Sequence, residues 1–212
     1  MLELAVKSLI AYLLGAILGA LILGAVVGVD IRTKGSGNAG GTNALRTQGK
    51  WFAAGVMLID VAKGWCAVAW LPDLAWPTTS VDIDPQWLRA ACALAVTLGH
   101  IYPVWFEFRG GKGVATVLGV VIGLSPPYFL PVLCIWAVTV WLTGFVSVGS
   151  IVAVSALPIM AAWHEPADPA LLSALLLLAV LVIFAHRANV LRLFEGTESR
   201  MLRRRTIKPS AP

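Results

Sequence analysis

The sequence predicts an all-α fold: a polytopic membrane bundle of seven transmembrane helices, some short, with the N-terminus outside and the C-terminus in the cytoplasm. Three observations carry this. Of the 212 residues, 58% are hydrophobic and only 13% charged, against roughly a quarter charged in a soluble domain. The apolar residues fall in runs that match a bilayer, which takes about 20 residues of straight helix. Lys and Arg are sorted into alternate loops, the signature of membrane topology.

The first span covers Leu4–Val29 and lacks a convincing cleavage site, so it reads as a retained helix rather than a signal peptide. Asp30–Lys50 is a polar loop. The second span runs over Trp51–Leu71. Pro72–Pro85 is a loop with three Asp and no Lys or Arg. A third span covers Trp87–Phe106, and Glu107–Gly113 is a tight loop. Val114–Trp163 divides twice. Pro126-Pro127 ends one helix because proline removes backbone bonds, and Thr143-Gly144 with Ser147 and Ser150 marks a second break. Three segments result: Val114–Leu124, Tyr128–Leu142 and Ile151–Trp163. At about 1.5 Å per residue the first is too short for the ~30 Å hydrocarbon layer. A last span covers Ala170–Ala185, and a basic tail follows over Arg187–Lys208.

The basic loops and the tail go to the cytoplasm, and the acidic loops Pro72–Pro85 and His164–Asp168 go outside. Seven crossings satisfy this, as do five if two weak segments are re-entrant. The whole of 1–212 reads as one membrane-embedded domain, with 199–212 a basic cytoplasmic tail. The net charge of +5 is topological and implies no nucleic acid. Cys66, Cys92 and Cys134 lie in apolar runs without metal or redox spacing, so they read as small buried hydrophobes.

Three polar islands remain, and all fall on one membrane face. The first is Gly35-Ser36-Gly37-Asn38-Ala39-Gly40-Gly41-Thr42-Asn43-Ala44-Leu45-Arg46. Its Gly-x-Gly-x-x-Gly spacing imitates a dinucleotide fingerprint, but a membrane span precedes it where that motif needs a βαβ unit. What survives is the anion chemistry. Glycines let N–H groups converge, Ser36, Asn38, Thr42 and Asn43 add neutral donors, and Arg46 adds a fork that matches phosphate. The second island runs from Gly99-His100 to Gly110-Gly111-Lys112-Gly113 and repeats the recipe ahead of a short helix. It is no Walker A, because Gly113 stands where Ser or Thr is required. The third places His186 and Asn189 at i, i+3 on one helical face. Inside the second span, Asp60 and Lys63 share the same spacing. Such charges in lipid are paired or functional, and a mutual ion pair anchoring the bundle is the simpler reading.

These islands together resemble the bacterial acyl-phosphate–glycerol-3-phosphate acyltransferase family (PlsY). The carrying segments are Gly35–Arg46, Gly99–Thr116 and Ala185–Glu198, with Asp60–Gly64 and Val146–Ile151 as further features. The resemblance spans the chain in order. It implies transfer of an acyl group from acyl phosphate to the 1-hydroxyl of glycerol 3-phosphate, giving lysophosphatidic acid and phosphate, the first acylation of phospholipid biosynthesis. It implies a site on the cytoplasmic side of the bacterial inner membrane, no cofactor, no metal and no obligate protein partner. By motif match, Ser36 and Arg46 bind phosphate, with Gly37, Asn38, Thr42 and Asn43 beside them. Gly110, Gly111, Lys112 and Gly113 hold glycerol 3-phosphate. Ser150 or Ser147 adds a phosphate contact, His186 and Asn189 lie at the reaction centre, and Asp60, Lys63 and Glu198 are structural. Gly41 and Arg109 stand where the family usually has Ala and Lys, and neither change removes a functional group.

The chemistry is compatible with such a site. Both substrates carry phosphate and the acyl phosphate is already activated, so no covalent Ser or Cys intermediate is required. Positioning and charge stabilisation carry the reaction, and His186 serves either as general base or as an orienting group. A soluble-type acyltransferase motif with four residues between His and Asp is absent, since His164 and Asp168 have three between them. The islands are too poor in Asp for a metal-dependent CDP-alcohol phosphotransferase. A transporter site would sit near the midplane within inverted repeats, and no repeat is found.

Overall fold

The computed structural model describes residues 1–75 and 83–201. Ten α-helices are found there: α1 Leu2–Gly15, α2 Gly19–Val26, α3 Gly41–Gln48, α4 Lys50–Ala69, α5 Pro85–Ile101, α6 Val114–Leu124, α7 Phe129–Thr143, α8 Val146–His164, α9 Pro169–Ala185 and α10 Arg187–Phe194. The described residues contain no β-strand. Asp82 of the acidic loop and the tail beyond Met201 lie outside the described residues.

Three stretches are long and apolar enough to cross a membrane: Lys50–Asp73, Pro126–Thr143 and Val146–His164. The number becomes five if each bent pair, α1 with α2 and α9 with α10, counts as one span. At 11 residues α6 stays short of a full crossing.

Acids of the Pro72–Pro85 and His164–Asp168 loops start helices. Asp84 caps α5 by accepting from the Gln86 N–H at 2.9 Å, and Asp168 caps α9 by accepting from the Leu171 N–H at 2.8 Å. Each is followed by proline at the first helical position, the preferred arrangement for a helix start.

Several boundaries differ from the sequence reading. The expected single span Leu4–Val29 is two helices meeting at 45°. Part of the polar loop, Gly41–Gln48, is helical, because its small and polar side chains still leave Ala44 and Asn43 one buried face. The third span stops at Ile101, before Pro103. Gly144, at φ 79°, ends α7 as Thr143-Gly144 suggested. Ser147 and Ser150 break nothing, however. They sit inside α8, buried among neighbouring helices. The tail begins with a helix, α10, bent 53° from α9.

Water is absent around lipid-embedded helices, so association rests on close packing and internal hydrogen bonds. Two glycine pairs set the closest approaches. A side-chain carbon on Gly15 would overlap the Val96 carbonyl, and one on Gly99 would overlap that of Tyr12, so α1 and α5 cross backbone to backbone. Gly64 and Gly119 do the same for α4 and α6, against Thr116 and Val61. A core of Val68, Val96, Val117, Val120, Leu157, Leu175 and Leu178 fills the space between the helices, while Leu130, Trp141, Ile159 and Trp163 face outward.

The break between α1 and α2 frees backbone groups that lipid cannot satisfy, and α4 supplies their partners. Lys63 Nζ donates to the Gly15 and Ile17 carbonyls, both at 2.8 Å. Asp60 Oδ1 accepts from the Gly19 N–H at 3.4 Å and pairs with Lys63 Nζ at 2.9 Å. His100 Nδ1 lies 2.8 Å from the same ammonium. Lys63→Met leaves the Asp60 carboxylate buried without its cation and the two carbonyls without donors. It is expected to destabilise by roughly 3–5 kcal/mol. Replacing Asp60 by Leu as well restores only part of this, because the Gly15 and Ile17 carbonyls stay orphaned. Thermal unfolding of the detergent-purified variants measures both.

Candidate active site

The three islands converge on one cavity of about 220 Å³. Ser36, Asn38, Thr42, Asn43 and Arg46 line it from the first island, Lys112 and Gly113 from the second, and His186, Asn189 and Glu198 from the third. Ser147 and Ser150 of α8 join them, and Asp60 and His100 reach its wall. Away from this polar end the lining becomes apolar: Val117 and Val121 of α6, Val132 and Trp136 of α7, Val154 and Leu157 of α8. Gly37, Gly110, Gly111 and Lys63 do not line the cavity.

The first turns of α3 and α6 both line the cavity, so helix-start N–H groups and their partial positive charge lie next to it. Gly113 precedes α6 with φ 85°, a left-handed conformation that glycine adopts without strain. That turn lets Lys112 enter the polar end of the cavity while α6 continues along its apolar wall.

Asn43 is committed to backbone. It is 1% exposed. Its carbonyl oxygen accepts from the Ser36 N–H at 3.0 Å, and its amide nitrogen donates to the Ile31, Lys34 and Asn38 carbonyls, each at 3.0 Å. It holds the glycine loop in shape and so presents Ser36 and Asn38.

Glu198 ties three elements together. Its Oε1 accepts from Asn189 Nδ2 at 2.7 Å and from Ser147 Oγ at 2.8 Å, and its Oε2 accepts from Arg192 Nε at 2.8 Å. Burial works against its charge, yet these hydrogen bonds hold the carboxyl below its ordinary range. With its nitrogen on Glu198, Asn189 turns its Oδ1 to Lys112 Nζ at 2.6 Å. Arg192, one helical turn beyond Asn189 in the Ala185–Glu198 segment, carries no role in the sequence pattern; the structure gives it one as the partner of Glu198.

His186 is 3% exposed at the start of α10. Its Nδ1 lies 2.8 Å from the Val182 carbonyl. A carbonyl only accepts, so Nδ1 carries a proton and the neutral ring leaves Nε2 free as an acceptor. Ser147 spends its proton on Glu198. Ser150 accepts from Trp136 Nε1 at 3.3 Å and keeps its own proton to donate.

The charges at this end do not cancel. Glu198 takes Arg192 and Asp60 takes Lys63. Lys112 meets a neutral amide oxygen, and Arg46 meets the Ser199 carbonyl at 3.2 Å. Among the described residues neither is paired with a carboxylate. Burial pushes the Lys112 ammonium down from 10.5 to about 8; Glu198 opposes the shift, and Arg192 and Arg46 reinforce it. The cavity thus joins an end with uncompensated cations to an apolar extension.

The sequence model of the family described as glycerol-3-phosphate acyltransferase matches residues 5–196. The glycerol-3-phosphate acyltransferase of Geobacter sulfurreducens is 42% identical, over 92% of this chain and 96% of that protein. That of Bordetella pertussis is 38% identical, over 91% and 89%. The crystal structure of PlsY (YgiH), an integral membrane glycerol 3-phosphate acyltransferase, in its glycerol 3-phosphate form, superposes with a TM-score of 0.82 at 33% identity, covering 93% of this chain and 94% of that one. Its lysophosphatidic acid form gives 0.80.

Inorganic phosphate is the simplest probe of the open cations. Lys112 loses its charge as pH rises through about 8, and a bound anion favours the charged form. Affinity therefore falls above pH 8, by up to about tenfold per pH unit until the pKa of the complex is passed. Calorimetric titration of the purified protein at pH 7.5, 8.5 and 9.5 checks this. Lys112→Met is expected to bind weakly at all three and to flatten the profile.

Proposed function

We propose, from the premise that this acyltransferase chain belongs to the glycerol-3-phosphate acyltransferase family, that its acyl donor is acyl phosphate and its acceptor the 1-hydroxyl of glycerol 3-phosphate. The products are lysophosphatidic acid and inorganic phosphate, the first acylation of phospholipid biosynthesis. The observation that carries this reading is the two-natured cavity: three polar islands with uncompensated cations at one end, apolar side chains of α6, α7 and α8 at the other. A donor with a phosphate head and an acyl tail matches that shape, and the resemblance of the PlsY forms to this chain supports the acceptor.

Ser36, Arg46 and Lys112 hold the phosphates, with Ser150 as a further donor. The hydroxyl oxygen attacks the acyl carbonyl carbon, the carbon–oxygen bond to phosphate breaks, and the departing phosphate carries the electron pair. The hydroxyl proton leaves through His186 Nε2 or directly to that phosphate. Fixed N–H groups and cations stabilise the negative charge that develops, and holding both substrates in one cavity removes the entropy of their encounter.

The topology we propose has seven crossings, with the N-terminus outside and the islands on the cytoplasmic side of the inner membrane. Lys7, near the N-terminus, donates to the Pro72 and Leu74 carbonyls of the acidic loop, while Ser199 meets Arg46 beside the cavity. Opposite ends of the chain at opposite ends of the bundle support an odd number of crossings.

The purified protein in lipid mesophase, given acyl phosphate and glycerol 3-phosphate, is expected to release inorganic phosphate. Uptake of the phosphate compound into vesicles without release would instead identify a transporter. Ser36→Ala, Lys112→Ala and Asn189→Ala should each lower kcat/KM by about 10²–10³. His186→Ala should lose about 10²–10⁴ if the ring takes the proton. Loss of glycerol 3-phosphate binding in that variant would show an orienting role instead.

A further inference from the structure

We propose that His100 is a positioning residue for glycerol 3-phosphate: its imidazole, clamped by Lys63, is the plate on which the Gly110–Gly113 loop lies and from which Lys112 enters the cavity. This rests on the reading of Lys112 as a phosphate-holding residue.

His100 ends α5 and is 2% exposed. On its inner side Nδ1 lies 2.8 Å from Lys63 Nζ and 3.5 Å from Asp60 Oδ1. An ammonium only donates, so Nδ1 accepts and the ring proton sits on Nε2. On the other side lies the loop. The His100 carbonyl accepts the Gly111 N–H at 3.1 Å, and the Ile101 carbonyl accepts that of Gly110 at 3.2 Å. The ring occupies the space of a side chain at 111, where an added carbon would overlap Nε2, and an added carbon at 110 would overlap the His100 carbonyl. Gly113 closes the loop against Thr97 and Ile101 of the same helix.

The loop is therefore laid on the end of α5 through its backbone and against one aromatic ring. The ring is buried between the Lys63 ammonium on one side and the Gly111 backbone on the other, which leaves it little room to turn. Lys63 in turn is fixed by the Gly15 and Ile17 carbonyls. A chain of contacts thus runs from the α1–α2 break through Lys63 and His100 to the loop. The partner of Lys112, Asn189, sits on α10. Losing the plate shifts Lys112 relative to Asn189 and removes no substrate ligand.

His100→Asn keeps an oxygen near the place of Nδ1 for Lys63 and removes the part of the ring beneath Gly111. The expected result is a KM for glycerol 3-phosphate raised by ~10-fold, an unchanged KM for acyl phosphate and a thermal midpoint close to that of the parent. Gly111→Ala alone should raise the same KM by pressing on the ring. In the His100→Asn, Gly111→Ala double variant the methyl has room, so the two effects are less than additive. An unchanged KM for glycerol 3-phosphate, a parallel rise in both KM values, or strict additivity overturns the proposal. Titration with inorganic phosphate gives a readout independent of turnover. If the parent releases no phosphate from acyl phosphate, the reaction assigned above fails. Weaker phosphate binding by His100→Asn then still supports the plate, and unchanged binding refutes it.

Discussion

A helix that breaks inside a membrane must find partners for the backbone groups it frees, and that constraint organises this protein. The break after Gly15 lets α1 meet α5 and α2 turn along α4, and it exposes carbonyls at Gly15 and Ile17. Lys63 answers both at 2.8 Å. An isolated buried ammonium is too costly, so Asp60 accompanies it at 2.9 Å and His100 adds an acceptor. Lys63 satisfies the two freed carbonyls and Asp60 compensates its charge, while His100 shares the same ammonium. The pair is weak evidence for net stability, since desolvation offsets much of the attraction. The observed arrangement of α1, α2, α4 and α5 brings every member of the group to a partner.

The same logic holds at the polar end of the cavity, with one difference. Asn43 satisfies the first island internally with four hydrogen bonds, and Glu198 satisfies the third with three. Lys112 and Arg46 are left with neutral oxygens. The incomplete neutralisation is local, next to two helix N-termini, and that is where an anion gains most. The glycine pairs contribute indirectly. Gly64 against Thr116 and Gly119 against Val61 bring α6 so close to α4 that its first turn reaches the islands.

Much of this was legible in the chain. Charge sorting and apolar runs gave the helical membrane bundle, and the islands named most of the cavity's polar lining. What stayed hidden has physical reasons. From Leu13 to Val29 there is no proline or polar residue to announce the break after Gly15, because the partners that stabilise the break lie on α4. Ser147 and Ser150 suggested an interruption, yet serine bonds comfortably within a helix when its hydroxyl finds a partner, here Glu198 and Trp136. Asn43 reads as a ligand by composition, and only the fold reveals that its amide is spent on three carbonyls. Arg192 lies within the Ala185–Glu198 segment without a role assigned from sequence, although the helical repeat from Asn189 points to it.

Glu198 illustrates how far a structural label reaches. A carboxylate beside uncompensated cations would ordinarily neutralise them. Its geometry removes the conflict. Both oxygens are engaged, one by Asn189 and Ser147, the other by Arg192, and Arg192 compensates its charge. What it sends into the cavity is the orientation of Asn189, whose amide oxygen then meets Lys112. A neutral acceptor there steadies the ammonium without consuming its charge, whereas a carboxylate in direct contact would. The carboxylate is thus kept one residue away from the cation it organises, and the charge of that cation stays uncompensated.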